Sequence, residues 1–123
     1  MTRYFTEEHE WIAVEGETGT VGITDYAQGQ LGDITFVELP EAGSEVKKAD
    51  SVSVIDSVKA ASDIYAPVSG TVSGVNPALE DEPEMVNSDA EGAGWLFKLT
   101  LSDSSELEGL MDADAYKSYV DGL

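Results

Sequence analysis

The sequence predicts a mainly β fold, a small sandwich or flattened barrel of short antiparallel strands to which small helices are added. Apolar and polar residues alternate over several short runs, and Gly or Pro separates these runs. From about residue 104 the apolar residues recur at helical spacing instead, so we expect a C-terminal helical segment over about 104–121. A chain of 123 residues, 41% of them hydrophobic, suits one buried core. We therefore expect a single domain spanning residues 1–123.

The first predicted element is a hairpin. Its strands are the apolar runs 11–14 and 20–23, which enclose Gly16 and Gly19. Glycine adopts positive φ angles at no steric cost, so it suits the tight turn between two antiparallel strands.

A short helix and another strand are predicted next. Thr24 or Asp25 can accept a hydrogen bond from the first turn of a helix through 26–28. Residues 33–39 alternate again and stop at Pro40. Two glycines are able to end the helix before that strand, Gly29 and Gly32.

A second hairpin is predicted over about 52–68, with Lys59 at its tip. Polar and small residues form the middle of this segment, and apolar residues flank them with the period of two that half-buried strands show. These apolar residues are Val52, Val54, Ile64, Ala66 and Val68.

Downstream of this hairpin, residues 70–75 continue the strand pattern, 80–84 are predicted to be a charged loop, and 95–101 alternate cleanly again. The C-terminal helical segment divides into two short helices. The residues able to cap them are Asp103 or Ser104 for the first and Asp112 for the second.

Lys59 is the first candidate functional residue, because it is one of only six basic residues and is predicted at an exposed tip. A catalytic amine needs an apolar or cationic pocket that lowers its pKa, whereas Asp56 and Asp63 favour the protonated form. A modification enzyme instead needs a protruding lysine with little bulk around it. The small residues that supply this clearance are Ser57, Ala60, Ala61 and Ser62. At this point an ordinary solvated turn lysine and an attachment site both stay open.

Composition excludes several classes of function. The net charge of −19 makes binding to nucleic acid or to an anionic membrane surface unfavourable, and it fits either basic docking partners or adaptation to salt. Absence of cysteine excludes disulfides and thiolate chemistry, and His9 as the only histidine excludes a two-histidine metal site, so we expect no metal. No apolar run has the length of a membrane span and the N-terminal residues lack a targeting pattern. We expect a cytoplasmic protein.

Residues 56–70 closely resemble the lipoyl-attachment segment of the glycine cleavage system H protein family. The resemblance extends, in order and at family spacing, over nearly the whole chain. The other matching segments are 9–11, 22–28, 31–34, 36–40, 86–87 and 94–96.

This resemblance implies the barrel-sandwich hybrid of lipoyl and biotinyl carriers, with lipoate joined to Lys59 as an amide. It implies a carrier that is not itself an enzyme. Its partners would be glycine decarboxylase (the P protein), aminomethyltransferase (the T protein), dihydrolipoyl dehydrogenase (the L protein) and a lipoylating enzyme. We expect a monomer.

The resemblance also assigns residues around the arm, which is the Lys59 side chain with its attached lipoyl group. Glu10 and Asp63 match family carboxylates beside the cleft that receives the arm. Their structural alternatives are a surface strand carboxylate for Glu10 and an N-cap or turn aspartate for Asp63. Recognition by the modification enzyme is assigned to Asp56, Ser57, Val58 and Ala60.

The chain departs from the family pattern at three places, and these put docking detail in question. Asp56 replaces the usual Glu, Glu8 replaces a small polar residue, and 90–92 replaces a loop that often contains Pro-Tyr.

Three rival functions stay open. A lipoyl domain of a 2-oxoacid dehydrogenase shares the hairpin but is normally shorter and tethered by a Pro/Ala linker, which this chain lacks. A biotin carrier would show Met on both sides of the lysine, where this chain has Val58 and Ala60. The third rival is a carrier that relays lipoyl groups to other proteins, or an unmodified regulatory relative. The intact Lys59 argues against the regulatory relative, but a relay carrier has the same sequence pattern as a glycine cleavage carrier.

Overall fold

The computed structural model describes residues 2–123. Within this range the chain forms mostly short strands and a few short helices. The strands are β1 (Thr2–Phe5), β2 (Glu10–Glu15), β3 (Thr18–Ile23), β4 (Ile34–Glu38), β5 (Glu45–Val46), β6 (Ser51–Ser57), β7 (Ala61–Tyr65), β8 (Gly70–Val75) and β9 (Phe97–Leu101). The helices are α1 (Asp25–Leu31), α2 (Ala78–Asp81), α3 (Met85–Ser88), a 3₁₀ helix (Ser104–Gly109) and α4 (Ala113–Asp121).

The strands form two antiparallel sheets. One sheet has six strands in the order β1-β2-β3-β9-β8-β5, and the other has three in the order β4-β6-β7. The expected mainly β class is confirmed, although no strand pairing among residues 2–123 joins the two sheets into a closed barrel. The three-stranded sheet therefore has two open edges, β4 and β7.

The main core lies between the two sheets. Ile12 and Val21 of the larger sheet and Val37 and Ile55 of the smaller one belong to the same buried cluster. A second cluster lies on the other face of β2. Its buried members are Phe5, Trp11, Ala13 and Tyr116, the last of these from α4. Four consecutive residues at the start of β2 are buried because both of its faces are covered.

The local turn chemistry agrees with the sequence. Gly16, at φ 62°, begins the two-residue turn of the first hairpin, and Thr24 caps α1 by accepting a hydrogen bond from Ala27 N. Helix α1 ends at Gly32, whose φ of 79° and ψ of −154° are accessible essentially to glycine alone. Asp103 and Asp112 accept capping hydrogen bonds at the two C-terminal helices, as predicted.

Two sequence-based expectations are wrong in detail. The predicted charged loop over 80–84 includes the last two residues of α2 and the residues that lead into α3. In β6 the buried residues are Ser53 and Ile55, whereas Val52 and Val54, which the alternation predicted to face the core, are only partly buried. Ser53 is stable in the core because its hydroxyl donates to the backbone carbonyl of Glu38.

Candidate functional site

Lys59 lies at the tip of the hairpin formed by β6 and β7. Its side chain is exposed, and Val58 beside it is 66% exposed. The hydroxyl of Ser57 accepts hydrogen bonds from the backbone N–H groups of Lys59 and Ala60, at 3.2 Å each. The same hydroxyl donates to the Ala60 carbonyl at 3.0 Å. One side chain therefore organises the backbone of the turn, and among residues 2–123 the lysine side chain stays exposed.

The stem of Lys59 passes the end of α1. A Cβ built on Gly32 would lie 3.4 Å from Cε and 3.8 Å from Nζ of Lys59. The segment that carries Gly32 is fixed by Asn87, whose side-chain amide donates to the Gly32 carbonyl at 2.8 Å and accepts from Ile34 N at 2.8 Å. Sequence reasoning assigned Asn87 no role, although it lies in a matching segment.

A cleft of about 520 Å³ runs from the hairpin to α1 and the residues before β2; we call it the hairpin cleft. Its walls combine carboxylates, one histidine and apolar side chains. The lining residues are Glu8, His9, Ile23, Tyr26, Ala27, Gln30, Leu31, Ala61, Ser62, Asp63, Ile64 and Tyr65. The predicted residue Asp63 thus lines a cleft whose hairpin wall starts at Ala61, two residues after Lys59.

Glu10 lines a second cleft of about 450 Å³, which we call the glutamate cleft. The Glu10 side chain is only 2% exposed, so the alternative of a surface carboxylate is wrong. It accepts hydrogen bonds from Tyr65 N at 2.6 Å and from the Thr6 hydroxyl at 3.2 Å. Burial raises the pKa of Glu10 from 4.5 to about 7, against the opposing effect of these hydrogen bonds. Glu10 therefore keeps its proton to a higher pH than an exposed glutamate does.

The structure brings Glu10 and Asp63 to neighbouring clefts and not to one. Glu8 and Tyr65 line both, so the two spaces adjoin at these residues. Asp63 is exposed and lies two residues before Tyr65, the residue to which Glu10 binds. A group reaching from the hairpin cleft toward Glu10 would pass the carboxylate of Glu8, which lines both clefts.

His9 is part of a hydrogen-bonded chain that sequence reasoning did not find. The Tyr116 hydroxyl lies 2.8 Å from His9 Nδ1 and 2.7 Å from the Thr24 hydroxyl, which also accepts from Ala27 N at 3.2 Å. If Thr24 donates to Tyr116 and Tyr116 to His9, every hydroxyl proton has an acceptor, and His9 is neutral with its proton on Nε2. These hydrogen bonds connect α4 to the N-terminus of α1 and to a wall of the hairpin cleft. No local sequence pattern could indicate this contact, because Tyr116 is 107 residues from His9.

Comparison with known proteins identifies the family and supports the fold. The family model of the glycine cleavage H-protein matches residues 3–122. The chain belongs to the glycine cleavage H-protein family.

Relatives from two bacteria support this assignment over nearly the full length. The chain is 58% identical to the glycine cleavage system H protein of Bradyrhizobium diazoefficiens, over 97% of this chain and 98% of that protein. It is 54% identical to that of Thermotoga maritima, over 94% and 93%. A crystal structure of a glycine cleavage system H protein from Mycobacterium marinum superposes with a TM-score of 0.88 at 37% identity, covering 99% of this chain and 98% of that one.

The resemblance inferred from the Lys59 segment is therefore confirmed. As an H protein, the chain is the carrier component of the glycine cleavage system and not one of its catalysts. Within residues 2–123, none of the helices has the length and apolar character needed to cross a membrane.

Proposed function

We propose that this H protein carries a lipoyl group on Lys59 and uses it to move the aminomethyl group of glycine between enzymes. The observation that carries the proposal is the exposed lysine at the tip of a hairpin whose turn is organised by Ser57. The residues fit the group: in the described part of the chain the side chain of Lys59 is exposed, and an open cleft lies along the hairpin.

Attachment would proceed through an activated acyl group. A lipoylating enzyme joins the lipoate carboxylate to AMP, releasing pyrophosphate from ATP. The neutral amine of Lys59 then attacks the acyl carbon; the C–N bond forms, the C–O bond to AMP breaks, and one proton is released. This enzyme would recognise four residues of the hairpin: Asp56, Ser57, Val58 and Ala60.

The loaded carrier would visit three enzymes. The P protein supplies the aminomethyl group after decarboxylating glycine, the T protein removes it, and the L protein reoxidises the arm. Lysine stem and lipoyl chain together reach on the order of 10 Å or more, so the carrier can stay on each enzyme's surface. The net charge of −19 supports fast and reversible docking to basic surfaces. We place the carrier in the cytoplasm as a monomer.

Glu10 would hold the aminomethyl group when the arm reaches the glutamate cleft, and Asp63 would contact it in the adjoining hairpin cleft. The amine of this group is cationic at neutral pH, and a buried carboxylate stabilises a cation that has left water. Glu10 has a pKa of about 7, so a bound cation would draw it into the ionised form.

The test compares Lys59→Arg with Lys117→Arg, a change at an exposed lysine of α4. Each variant and the wild type are incubated with lipoate, ATP and a purified lipoate ligase, and the intact masses are measured. Aminomethyl transfer is then followed with purified P protein and glycine. We expect wild type and Lys117→Arg to gain one lipoyl group and accept the aminomethyl group, and Lys59→Arg to do neither. A lipoyl group on the Lys59→Arg protein would overturn the assignment of the site.

A further inference from the structure

The three-stranded sheet has a second face, turned away from the main core, which we call the outer face. Side chains of directly paired residues on neighbouring strands point to the same side of a sheet. Val37 pairs with Ile55 and both are buried, so the residues adjacent to them in each strand point outward. The outer face therefore consists of Phe36, Glu38, Val54, Asp56, Ala61 and Asp63.

Phe36 is the unusual member of this face. It is 54% exposed, although aromatic side chains are normally well buried, and it pairs across the sheet with Asp56. The outer face contains three carboxylates, those of Glu38, Asp56 and Asp63, and none of the strands β4, β6 and β7 contains a basic residue. An aromatic side chain surrounded by carboxylates is complementary to an apolar pocket with Lys or Arg at its rim.

The position of this face relative to Lys59 selects among the partners. Asp56 is three residues before Lys59, so Phe36 lies about 10 Å along the hairpin from the tip. An unmodified lysine extends only about 6 Å from its Cα. An enzyme that acts on Nζ must therefore bring its surface close to the hairpin. A standard interface covers about 800 Å² on each partner, which is large enough to include the outer face.

Enzymes that receive a loaded arm meet a weaker constraint. The reactive sulfur lies beyond the lipoyl chain, so their active sites can be more distant from the hairpin. Contact with the outer face is needed most by the enzyme that acylates the bare lysine.

We propose that the outer face is the docking surface for the lipoate-attaching enzyme, with Phe36 as the apolar anchor and Glu38, Asp56 and Asp63 as partners of basic side chains. This inference rests on Lys59 being the lipoyl site and extends enzyme recognition beyond the tip to strand β4, which is distant in sequence from the lysine.

The first arm of the test removes the anchor. Transfer of lipoate to Lys59 by a purified lipoate ligase with ATP is followed by intact mass for wild type, Phe36→Ser and Leu123→Ser. Leu123 is a matched control, being 66% exposed at the C-terminus and outside the outer face. We expect kcat/KM to fall about tenfold or more in Phe36→Ser and to stay within about twofold of wild type in Leu123→Ser. Thermal unfolding is measured for each variant.

The second arm tests the charges independently of Phe36. Glu38→Lys places a cation on the outer face at an exposed position. We expect it to lower kcat/KM for lipoylation, and the wild-type rate to fall with added salt, as required for a basic partner.

The outcomes separate this inference from the proposed function. A wild type that gains no lipoyl group on Lys59 overturns both. If the wild type is modified and both Phe36→Ser and Glu38→Lys are modified at the wild-type rate, the proposed docking surface is overturned and the lipoyl site at Lys59 stands. Loss in both variants with retention in Leu123→Ser supports it.

Discussion

The buried carboxylate of Glu10 accepts a 2.6 Å hydrogen bond from the backbone N–H of Tyr65, 55 residues further along the chain. This contact joins β2 of the larger sheet to the end of β7 in the smaller one. It also places a titratable group, with a pKa of about 7, between two structural elements that must stay together.

We expect Glu10 to make stability depend on pH. Its pKa in the folded state lies above the ordinary value of 4.5, so the folded chain holds a proton that the unfolded chain has lost. The contribution is complete below about pH 4.5 and is lost as the pH rises through about 7. Glu10→Gln removes this dependence, so its free energy of unfolding relative to wild type should rise by about 3 kcal/mol between these two pH values.

Chemical denaturation at a series of pH values measures this difference. Glu15→Gln, at the exposed end of the same strand, is the control for loss of one carboxylate. A constant difference between Glu10→Gln and wild type across the range would contradict the prediction.

His9 should respond to Glu8. Burial lowers the pKa of His9, and the negative charge of Glu8 opposes this effect. We expect Glu8→Gln to lower the pKa of His9 further, because it removes the opposing charge, whereas Glu7→Gln serves as the matched control. His9 is the only histidine of the chain, so an NMR titration reports it without ambiguity. A rise in its pKa would refute the prediction; the same ¹⁵N spectra show whether neutral His9 carries its proton on Nε2.

Two glycines of the α1 region should respond to alanine with opposite signs. Gly32 has backbone angles that are essentially restricted to glycine, so Gly32→Ala should destabilise the protein by about 1 to 3 kcal/mol. Gly29 lies within α1 with open space around it, and Gly29→Ala should stabilise by about 0.5 to 1 kcal/mol. Thermal or urea unfolding measures both. Equal effects would show that the backbone at Gly32 is not restrictive.

Asn87 should be needed for the position of the segment beside Lys59. Asn87→Ala leaves the Gly32 carbonyl and the Ile34 N–H without their side-chain partner, so we expect a loss of about 2 to 3 kcal/mol in stability. Ser88→Ala is the control, since the exposed Ser88 hydroxyl makes only a local 3.3 Å contact with the Met85 carbonyl. Urea unfolding measures the stability of both variants. Similar stabilities of Asn87→Ala and Ser88→Ala would contradict the role of Asn87.

The sequence predicted the features that depend on near neighbours. The Lys59 hairpin, the Thr24 cap and the turn at Gly16 follow from local alternation and residue type. Features that depend on distant partners were not predictable. Ser53 faces the core because the Glu38 carbonyl accepts its proton, a contact between two strands that no periodicity records.

The candidate site also combines features that the sequence predicted with features that depend on distant partners. The resemblance pointed to Glu10, but its burial arises because Tyr65 and Thr6 provide hydrogen bonds and the two sheets exclude water. The connection from His9 through Tyr116 to Thr24 requires α4 to pack against β1 and β2, which depends on the whole fold.

The edges of the three-stranded sheet have a consequence for how the molecule behaves in a crowded solution. An open strand edge is a template on which another chain can add a strand, and such addition leads to aggregation. Here an outward N–H of β4, that of Ile34, is occupied by Asn87, and the Tyr65 N–H of β7 is occupied by Glu10. Side chains thus occupy one backbone donor at each edge of the three-stranded sheet. A protein that must meet several enzymes in turn can thus keep its hairpin exposed while each sheet edge presents one hydrogen-bond donor fewer to another strand.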